Sequence, residues 1–195
     1  MNNKYALVII DVQNDFIAGG ALAVPEGEKI IPVINQYISV FTKRHLPIIA
    51  TRDWHPPKTR HFKQYGGLWP PHCIQNTWGA QFHPDLQLPA NTIIISAGIT
   101  EEQQGYSGFE GVDHSGKSLE EVLQSMQITR LFACGLATDY CVKMTVVQAL
   151  KLGFQVDLLT DAIKGINLQP TDSQKAINEM AELGAKLTTI NTLSI

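Results

Sequence analysis

The sequence has few cysteines, few charged residues and no cluster of basic side chains. Only 3 cysteines occur among 195 residues, and charged residues make up 17%. A small, odd number of cysteines argues against a disulfide framework and indicates a reducing compartment. Basic residues never cluster beyond the pair Lys43-Arg44 and the net charge is −3, so neither a nucleic-acid partner nor an anionic membrane surface is expected.

Long apolar runs are also absent. No run approaches the roughly 18 residues that a membrane span needs, and the first residues lead into a short strand-like segment instead of a signal-peptide core. The length fits one domain, over residues 1–195. These counts predict a soluble, cytoplasmic, single-domain protein. They are compatible with a homo-oligomer and leave the chemistry open.

Short apolar runs alternate with longer amphipathic segments along most of the chain. The run at residues 5–10 is continuous and rich in β-branched side chains, which is typical of a strand buried on both faces. Similar runs recur at residues 47–51, 92–96, 130–134, 154–160 and 186–190. Between most of them, apolar residues follow helical spacing. This alternation predicts an α/β fold, with a parallel sheet and helices on both of its faces.

One long segment interrupts the alternation. Residues 52–91 show no periodic pattern but contain six prolines and four histidines. Long loops in compact domains tend to be functional. Ligands of open α/β sheets bind at the carboxyl ends of the strands. The candidate functional residues are therefore those that follow each predicted strand.

The first candidate, Asp11, directly follows the first predicted strand. A carboxylate at this edge could transfer protons during catalysis. It could equally serve only to shape a turn or cap a helix, and the pattern leaves both readings open.

The second predicted strand is followed by Asp53 and His55, which period-2 geometry places on the same side of an extended segment. His61 and His72 follow in the same loop. Together these side chains form an oxygen and nitrogen ligand set that suits Zn²⁺, Fe²⁺ or Mn²⁺. The remaining histidines are predicted to be solvated or hydrogen-bonding residues: His45, His83 and His114.

The fourth predicted strand leads into a helix that carries a cysteine near its start. With Thr138 as the N-cap, Cys141 falls in the first turn, where the helix dipole favours a thiolate. The backbone N–H groups of Ala137 and Cys141 could also hold an oxyanion. A free cysteine is more often a small buried hydrophobe, and we assign that role to Cys73 and Cys134.

A nucleophile, a carboxylate and a metal-ligand loop at one sheet edge suggest acyl transfer to a thiol followed by hydrolysis. Five collinear segments resemble the nicotinamidase/pyrazinamidase group of the isochorismatase-like cysteine hydrolases. They are Ile9–Phe16, Arg52–Pro56, Trp69–Cys73, Tyr106–Gly111 and Gly135–Cys141. The resemblance implies a six-stranded parallel sheet in three α/β/α layers. It also implies hydrolysis of nicotinamide, and of pyrazinamide, with one divalent metal ion, most often zinc, with iron or manganese as alternatives.

The resemblance also assigns roles to individual residues. Asp11 matches the catalytic aspartate and Cys141 the nucleophile. The metal ligands correspond to Asp53, His55 and His72, with His61 as a fourth ligand in some members. The ring-binding pocket corresponds to Phe16, Trp69 and Tyr106, and the oxyanion hole to Ala137 and Cys141. A cis peptide bond is expected within residues 136–138.

One position departs from the family pattern. The family's catalytic lysine falls at Ala97, and no lysine or arginine occurs between Lys63 and Lys117. Without that cation, a carboxylate beside the thiol opposes ionisation, so the pKa of Cys141 should rise and activity should fall. Three explanations stay open: an engineered variant, a natural member with altered activity, or a lysine supplied by Lys58 or Lys63. Two alternative functions also stay open, a related amidase for another small amide and an inactive protein that binds nicotinamide or metal.

Overall fold

The protein is built on a six-stranded, entirely parallel sheet with the strand order β3-β2-β1-β4-β5-β6. The computed structural model describes residues 4–195. The strands are β1 Tyr5–Ile10, β2 Ile48–Asp53, β3 Ile93–Ala97, β4 Arg130–Leu136, β5 Gln155–Lys164 and β6 Lys186–Thr188. Each apolar run of the sequence overlaps one of these strands, so the prediction of a parallel sheet is confirmed.

Helices cover both faces of the sheet. They are α1 Ile31–Lys43, α2 Leu119–Ser125, α3 Lys143–Lys151 and α4 Asp172–Glu182. The apolar side of α1 packs in one core cluster, whereas α2, α3 and α4 pack in a second cluster on the opposite face. The result is the α/β/α three-layer architecture that the resemblance implies.

The central strand β1 shows why its sequence is apolar throughout. Leu7 and Ile9 point into the first core cluster, and Ala6, Val8 and Ile10 point into the second. All five are at most 1% exposed. A strand buried on both faces cannot alternate apolar and polar side chains, which explains the continuous run at residues 5–10.

The direction of strand addition reverses between β1 and β4, which are neighbours in the sheet. Such a reversal opens a crevice at the carboxyl ends of the two strands. Gly135 lets the strands approach there, because a Cβ on this residue would lie 2.0 Å from the carbonyl oxygen of Ile10. In the described part of the chain, no helix has the length and apolar character needed to cross a bilayer.

Candidate active site

Three chemically reactive side chains meet at this crevice although they are far apart in the sequence. Asp11 follows β1, Asp53 ends β2, and Cys141 lies in the turn after β4. Their carboxylate oxygens and thiol sulfur all lie within 4.8 Å of one another. Thr51 Oγ1 donates a hydrogen bond of 2.6 Å to Asp11 Oδ1 and fixes that carboxyl group.

The turn that carries Cys141 differs from the predicted helix start. Residues Thr138–Val142 form one π-helical turn before α3, and Ala137 occupies the N-cap position. Thr138 makes no capping hydrogen bond, so its prediction as the N-cap is wrong. The backbone N–H groups of Tyr140 and Val142 instead converge on the Ala137 carbonyl, at 3.0 and 3.1 Å. In this wide turn a backbone carbonyl accepts these N–H groups, so no side-chain cap is needed.

The peptide bond between Leu136 and Ala137 is cis, at the place that the resemblance indicates. Ala137 and Cys141 both line the same cavity, as expected of the two residues assigned to an oxyanion hole.

Burial and neighbouring carboxylates dominate the electrostatics of the cysteine. Desolvation raises the pKa of Cys141 well above its usual value, and Asp11 and Asp53 raise it further. Desolvation and Asp53 also raise the pKa of Asp11, against the lowering effect of hydrogen bonds from Thr51 and Cys141. The raised pKa of Cys141 agrees with the expectation drawn from the missing lysine. Burial and the two carboxylates therefore favour the thiol form of Cys141, which hydrogen-bonds to the carboxyl group of Asp11.

Ala97 lies at the end of β3, in register with Asp53 on β2, and is 2% exposed. Its backbone carbonyl accepts a hydrogen bond from Trp54 N–H at 2.9 Å. The next residue, Gly98, packs against the ring of His55, since a Cβ there would lie 2.5 Å from Nδ1. Position 97 therefore lies beside Asp53 in the sheet and offers only a methyl group.

The histidine loop folds back on the end of β2. His55 N–H donates to the Cys73 carbonyl at 3.0 Å, and Gln75 N–H donates to the His55 carbonyl at 2.8 Å. This short parallel bridge brings His72 beside the end of β2. A second bridge, between Phe62 and Trp69, joins the segment that follows His61 to the segment that precedes His72.

The three loop histidines form a buried cluster whose ring nitrogens could hold a metal ion. One ring nitrogen from each of His55, His61 and His72 lies within 4.8 Å of the others. Asp53 Oδ2 lies 3.5 Å from Nε2 of His55 and of His72. Asp53 Oδ1 and both ring nitrogens of His55 are buried, and none has a hydrogen-bond partner among residues 4–195. Because buried polar atoms are almost always satisfied, these orphaned atoms fit a metal site.

Neighbouring groups prepare two of these histidines as ligands. Gln104 Oε1 lies 3.1 Å from His61 Nδ1, and the Pro70 carbonyl lies 2.8 Å from His72 Nδ1. Such partners accept a hydrogen bond from Nδ1–H, which leaves the Nε2 lone pair free to bind a cation. Desolvation, followed by the effect of His55, lowers the pKa of His61 to about 4, so this ring is neutral at neutral pH.

Aromatic side chains line a small cavity between the histidine cluster and Cys141. Phe16, Trp69 and Tyr106 all line it, as the resemblance indicates. Trp69 Nε1 donates to the Tyr106 hydroxyl at 2.8 Å, which fixes the two rings relative to each other. His61, in turn, lies against Tyr106, with ring centroids 5.2 Å apart.

Three residues that the sequence did not point to also line the cavity: Leu22, Tyr140 and Ile166. Tyr140 packs edge-on against Trp69, with centroids 4.8 Å apart. The sequence could have indicated Tyr140 and Ile166, because each follows the end of a strand. Tyr140 comes after β4, beside Cys141, and Ile166 comes just after β5. Leu22 lies in a loop without any comparable pattern.

Comparison with known proteins places this geometry in a family. An isochorismatase domain matches residues 5–192. A nicotinamidase of Escherichia coli (strain K12) is 41% identical over 201 residues, which cover 95% of this chain and 94% of that protein.

Solved structures give the same result. The pyrazinamidase of Pyrococcus horikoshii in complex with zinc aligns with a TM-score of 0.89 at 45% identity, covering 96% of this chain and 99% of that one. PnC1 of L. infantum in complex with nicotinate aligns with a TM-score of 0.88 at 36% identity, covering 100% and 96%. The match extends over nearly the whole of each chain. This protein is therefore an amidohydrolase that belongs to the isochorismatase domain family.

Proposed function

We propose that this protein is a metal-dependent nicotinamidase, which hydrolyses nicotinamide to nicotinate and ammonia and also accepts pyrazinamide. The observation that carries the proposal is that Cys141, His61 and His72 line one aromatic cavity, with Asp11 beside Cys141. Such a cavity suits a planar six-membered ring, with its carboxamide directed at the thiol. Relatives that are named for nicotinamide and pyrazinamide hydrolysis support the choice of substrate.

The first half of the reaction forms a thioester. The Cys141 sulfur attacks the carboxamide carbon while its proton passes to the Asp11 carboxylate. The N–H groups of Ala137 and Cys141 stabilise the negative charge that develops on the carboxamide oxygen. Asp11 then gives its proton to the nitrogen, the C–N bond breaks and ammonia leaves.

The second half of the reaction releases the acid. Asp11, again ionised, takes a proton from a water molecule that attacks the thioester carbon. The C–S bond breaks, the sulfur recovers the proton as a thiol, and nicotinate leaves. The short bond from Thr51 to Asp11 keeps the carboxyl group oriented through both halves.

Asp53, His55, His61 and His72 are the residues that would hold the metal, and we propose zinc, with iron or manganese as alternatives. When bound, the metal supplies a Lewis-acidic position for the ring nitrogen of the substrate. Phe16 packs against His72, with ring centroids 5.5 Å apart, and so provides an apolar wall beside the metal ligands.

The direct test is ammonia release from nicotinamide by the purified chain after reconstitution with zinc. We expect turnover that a chelator abolishes and added zinc restores, since the ligands are all buried in one site. A screen of other small carboxamides and ureido compounds should show lower kcat/KM values. If the zinc-loaded chain hydrolyses another amide better than nicotinamide, or binds nicotinamide and releases no ammonia, the proposal is wrong.

A further inference from the structure

The buried carboxylate of Asp139 connects the nucleophile turn to the loop after β5. Asp139 is 8% exposed and lies two residues before Cys141. Its Oδ1 accepts the backbone N–H of Ile166 at 2.9 Å, and its Oδ2 accepts the N–H of Asn167 at 2.7 Å. Charge-assisted hydrogen bonds of this kind are roughly twice as strong as neutral ones. One side chain thus holds two consecutive amides of a loop that is distant in the sequence.

The loop is shaped to receive this carboxylate. A Cβ on Gly165 would lie 1.9 Å from Ser173 Oγ and 2.8 Å from Asp139 Oδ1, so the backbone approaches both groups closely. Asn167 has a positive φ of 53°, and its Oδ1 accepts the N–H of Ser173 at 2.9 Å. The loop is therefore held by Asp139 on one side and by the start of α4 on the other.

The residue held by these bonds forms a wall of the substrate cavity. Ile166 is half-buried and lines the cavity together with Cys141, whereas Asp139 is not among the lining residues. Leu22 lines the cavity from another loop, which ends near Glu26. An ion pair of 3.0 Å between Lys164 and Glu26 connects the two loops.

We propose that Asp139 is a positioning residue that sets the width of the ring pocket by holding Ile166 against it. The inference rests on the proposed function, because it concerns how tightly the nicotinamide ring is bound. Asp139 does not touch the reacting atoms, so its contribution should appear in substrate affinity and in discrimination between rings of different width. The chemical step at Cys141 should depend on it only weakly.

The test begins with Asp139→Asn, which keeps the size of the side chain but replaces one acceptor by an amide donor. We expect KM for nicotinamide to rise about 10-fold, the size of one lost hydrogen bond to a charged group, with kcat within about 3-fold. The preference for nicotinamide over 5-methylnicotinamide should fall. The matched control is Asp172→Asn, because Asp172 Oδ2 accepts the N–H of Gln169 at 2.8 Å in the same segment without holding Ile166. This control should change neither KM nor the preference.

A double variant shows whether Asp139 acts through Ile166. If it does, Ile166→Ala alone and Ile166→Ala combined with Asp139→Asn should share the same KM and the same ring preference. Additive effects in the double variant would overturn the proposal, as would a fall in kcat at unchanged KM. Should Asp139→Asn fail to fold, Asp139→Glu takes its place, since the longer carboxylate displaces the loop and should raise KM while kcat is kept.

Failure of the proposed function has a different signature. If the unaltered zinc-loaded chain binds nicotinamide without releasing ammonia, the assignment as a nicotinamidase fails. The same variants are then compared by calorimetric Kd for nicotinamide. A weaker Kd in Asp139→Asn, with no further loss in the double variant beyond Ile166→Ala, supports the positioning role. An unchanged Kd in Asp139→Asn overturns it.

Discussion

The metal-ligand side and the nucleophile side of the cavity differ in how their polar atoms are satisfied. On the metal-ligand side, Gln104 and Pro70 accept from two histidine rings, whereas His55 leaves buried nitrogens without a partner among residues 4–195. On the nucleophile side, Asp11 is bonded to Thr51 and Cys141, and its pKa is raised by burial and by Asp53. The metal-ligand side has unsatisfied acceptors that suit a cation. On the nucleophile side, the environment favours the protonated forms of Asp11 and Cys141.

This difference explains how the carboxyl group of Asp11 and the thiol of Cys141 can lie side by side in a buried site. With a methyl group at position 97, burial and Asp53 favour the protonated form of Asp11. The thiol of Cys141 then depends on the carboxylate form of Asp11 to accept its proton. The nucleophile side should therefore limit the rate, whereas the metal-ligand side should limit substrate binding.

The largest effect is expected from Cys141→Ala, which removes the nucleophile and leaves the metal ligands untouched. Ammonia release should fall by roughly 10³-fold or more, because no thioester can form. Elemental analysis should still find the metal at the level of the unaltered protein. Cys134→Ala, at another buried free cysteine, serves as the control. Loss of metal from Cys141→Ala would break the separation between the two sides.

Ala97→Lys should sharpen the comparison by adding a cation to the nucleophile side. The ammonium group would lower the pKa values of Asp11 and Cys141, since an opposite charge favours the ionised form. We expect kcat to rise about 10²-fold, the contribution typical of a general acid–base group. The pH at which turnover is half-maximal should move downward, as a pH–rate profile would show.

Ala97→Met is the matched control, since it adds a side chain of considerable length without charge. It should not reproduce the gain. If the unaltered chain is already as fast as Ala97→Lys, the idea that the nucleophile side lacks a needed cation is wrong.

A smaller effect is expected from Gln104→Ala on the metal-ligand side. His61 would lose the partner of its Nδ1, and metal affinity should fall about 10-fold, as for other outer partners of metal ligands. Titration against a competing chelator measures this change. Gln103→Ala is the control, because Gln103 Oε1 accepts the N–H of Ile99 and contacts none of the histidines. An equal loss in both variants would point to general loosening of the loop.

Thr51→Val should have the smallest effect on the rate. It removes the 2.6 Å bond to Asp11 and leaves a buried carboxyl group with one partner fewer, which should lower the free energy of unfolding by about 1–2 kcal/mol. The same bond lowers the pKa of Asp11, so its loss should raise that pKa further. Denaturant unfolding and a pH–rate profile check both effects. Thr145→Val is the control. It removes a comparable buried hydroxyl, which accepts the Gly108 N–H, and it should leave the pH profile unchanged.

The parts of the molecule that the sequence predicts well are those in which one segment determines its own surroundings. The continuous apolar run at residues 5–10 identifies β1, because a central strand is buried on both faces whatever surrounds it. The proposed metal ligands lie within residues 53–72, and short bridges of that same loop bring them together. For β1 and for this loop, the sequence pattern of one segment is therefore enough to predict where its residues lie.

Features that depend on local main-chain hydrogen bonds or on distant segments were not predictable in this way. The N–H groups after β4 converge on the Ala137 carbonyl, so the polarity of Thr138 misled the prediction of a cap. Ile166 lines the cavity, and its amide donates to Asp139 in another element. No periodicity within residues 165–168 carries that information, since it lies in the contact between two loops.

The position of the histidine cluster in the cavity wall has a consequence for the choice of substrate. The nicotinamide group also occurs in NAD, where the ring nitrogen is bonded to a ribose and has no lone pair to offer a metal. Asp53, His61 and His72 line the pocket where we propose that this nitrogen binds the metal, so a ribose on that nitrogen would occupy the same place. An enzyme with this pocket would hydrolyse the free base released when NAD is broken down. It would spare the intact coenzyme, so recycling could proceed without depleting the pool that it serves.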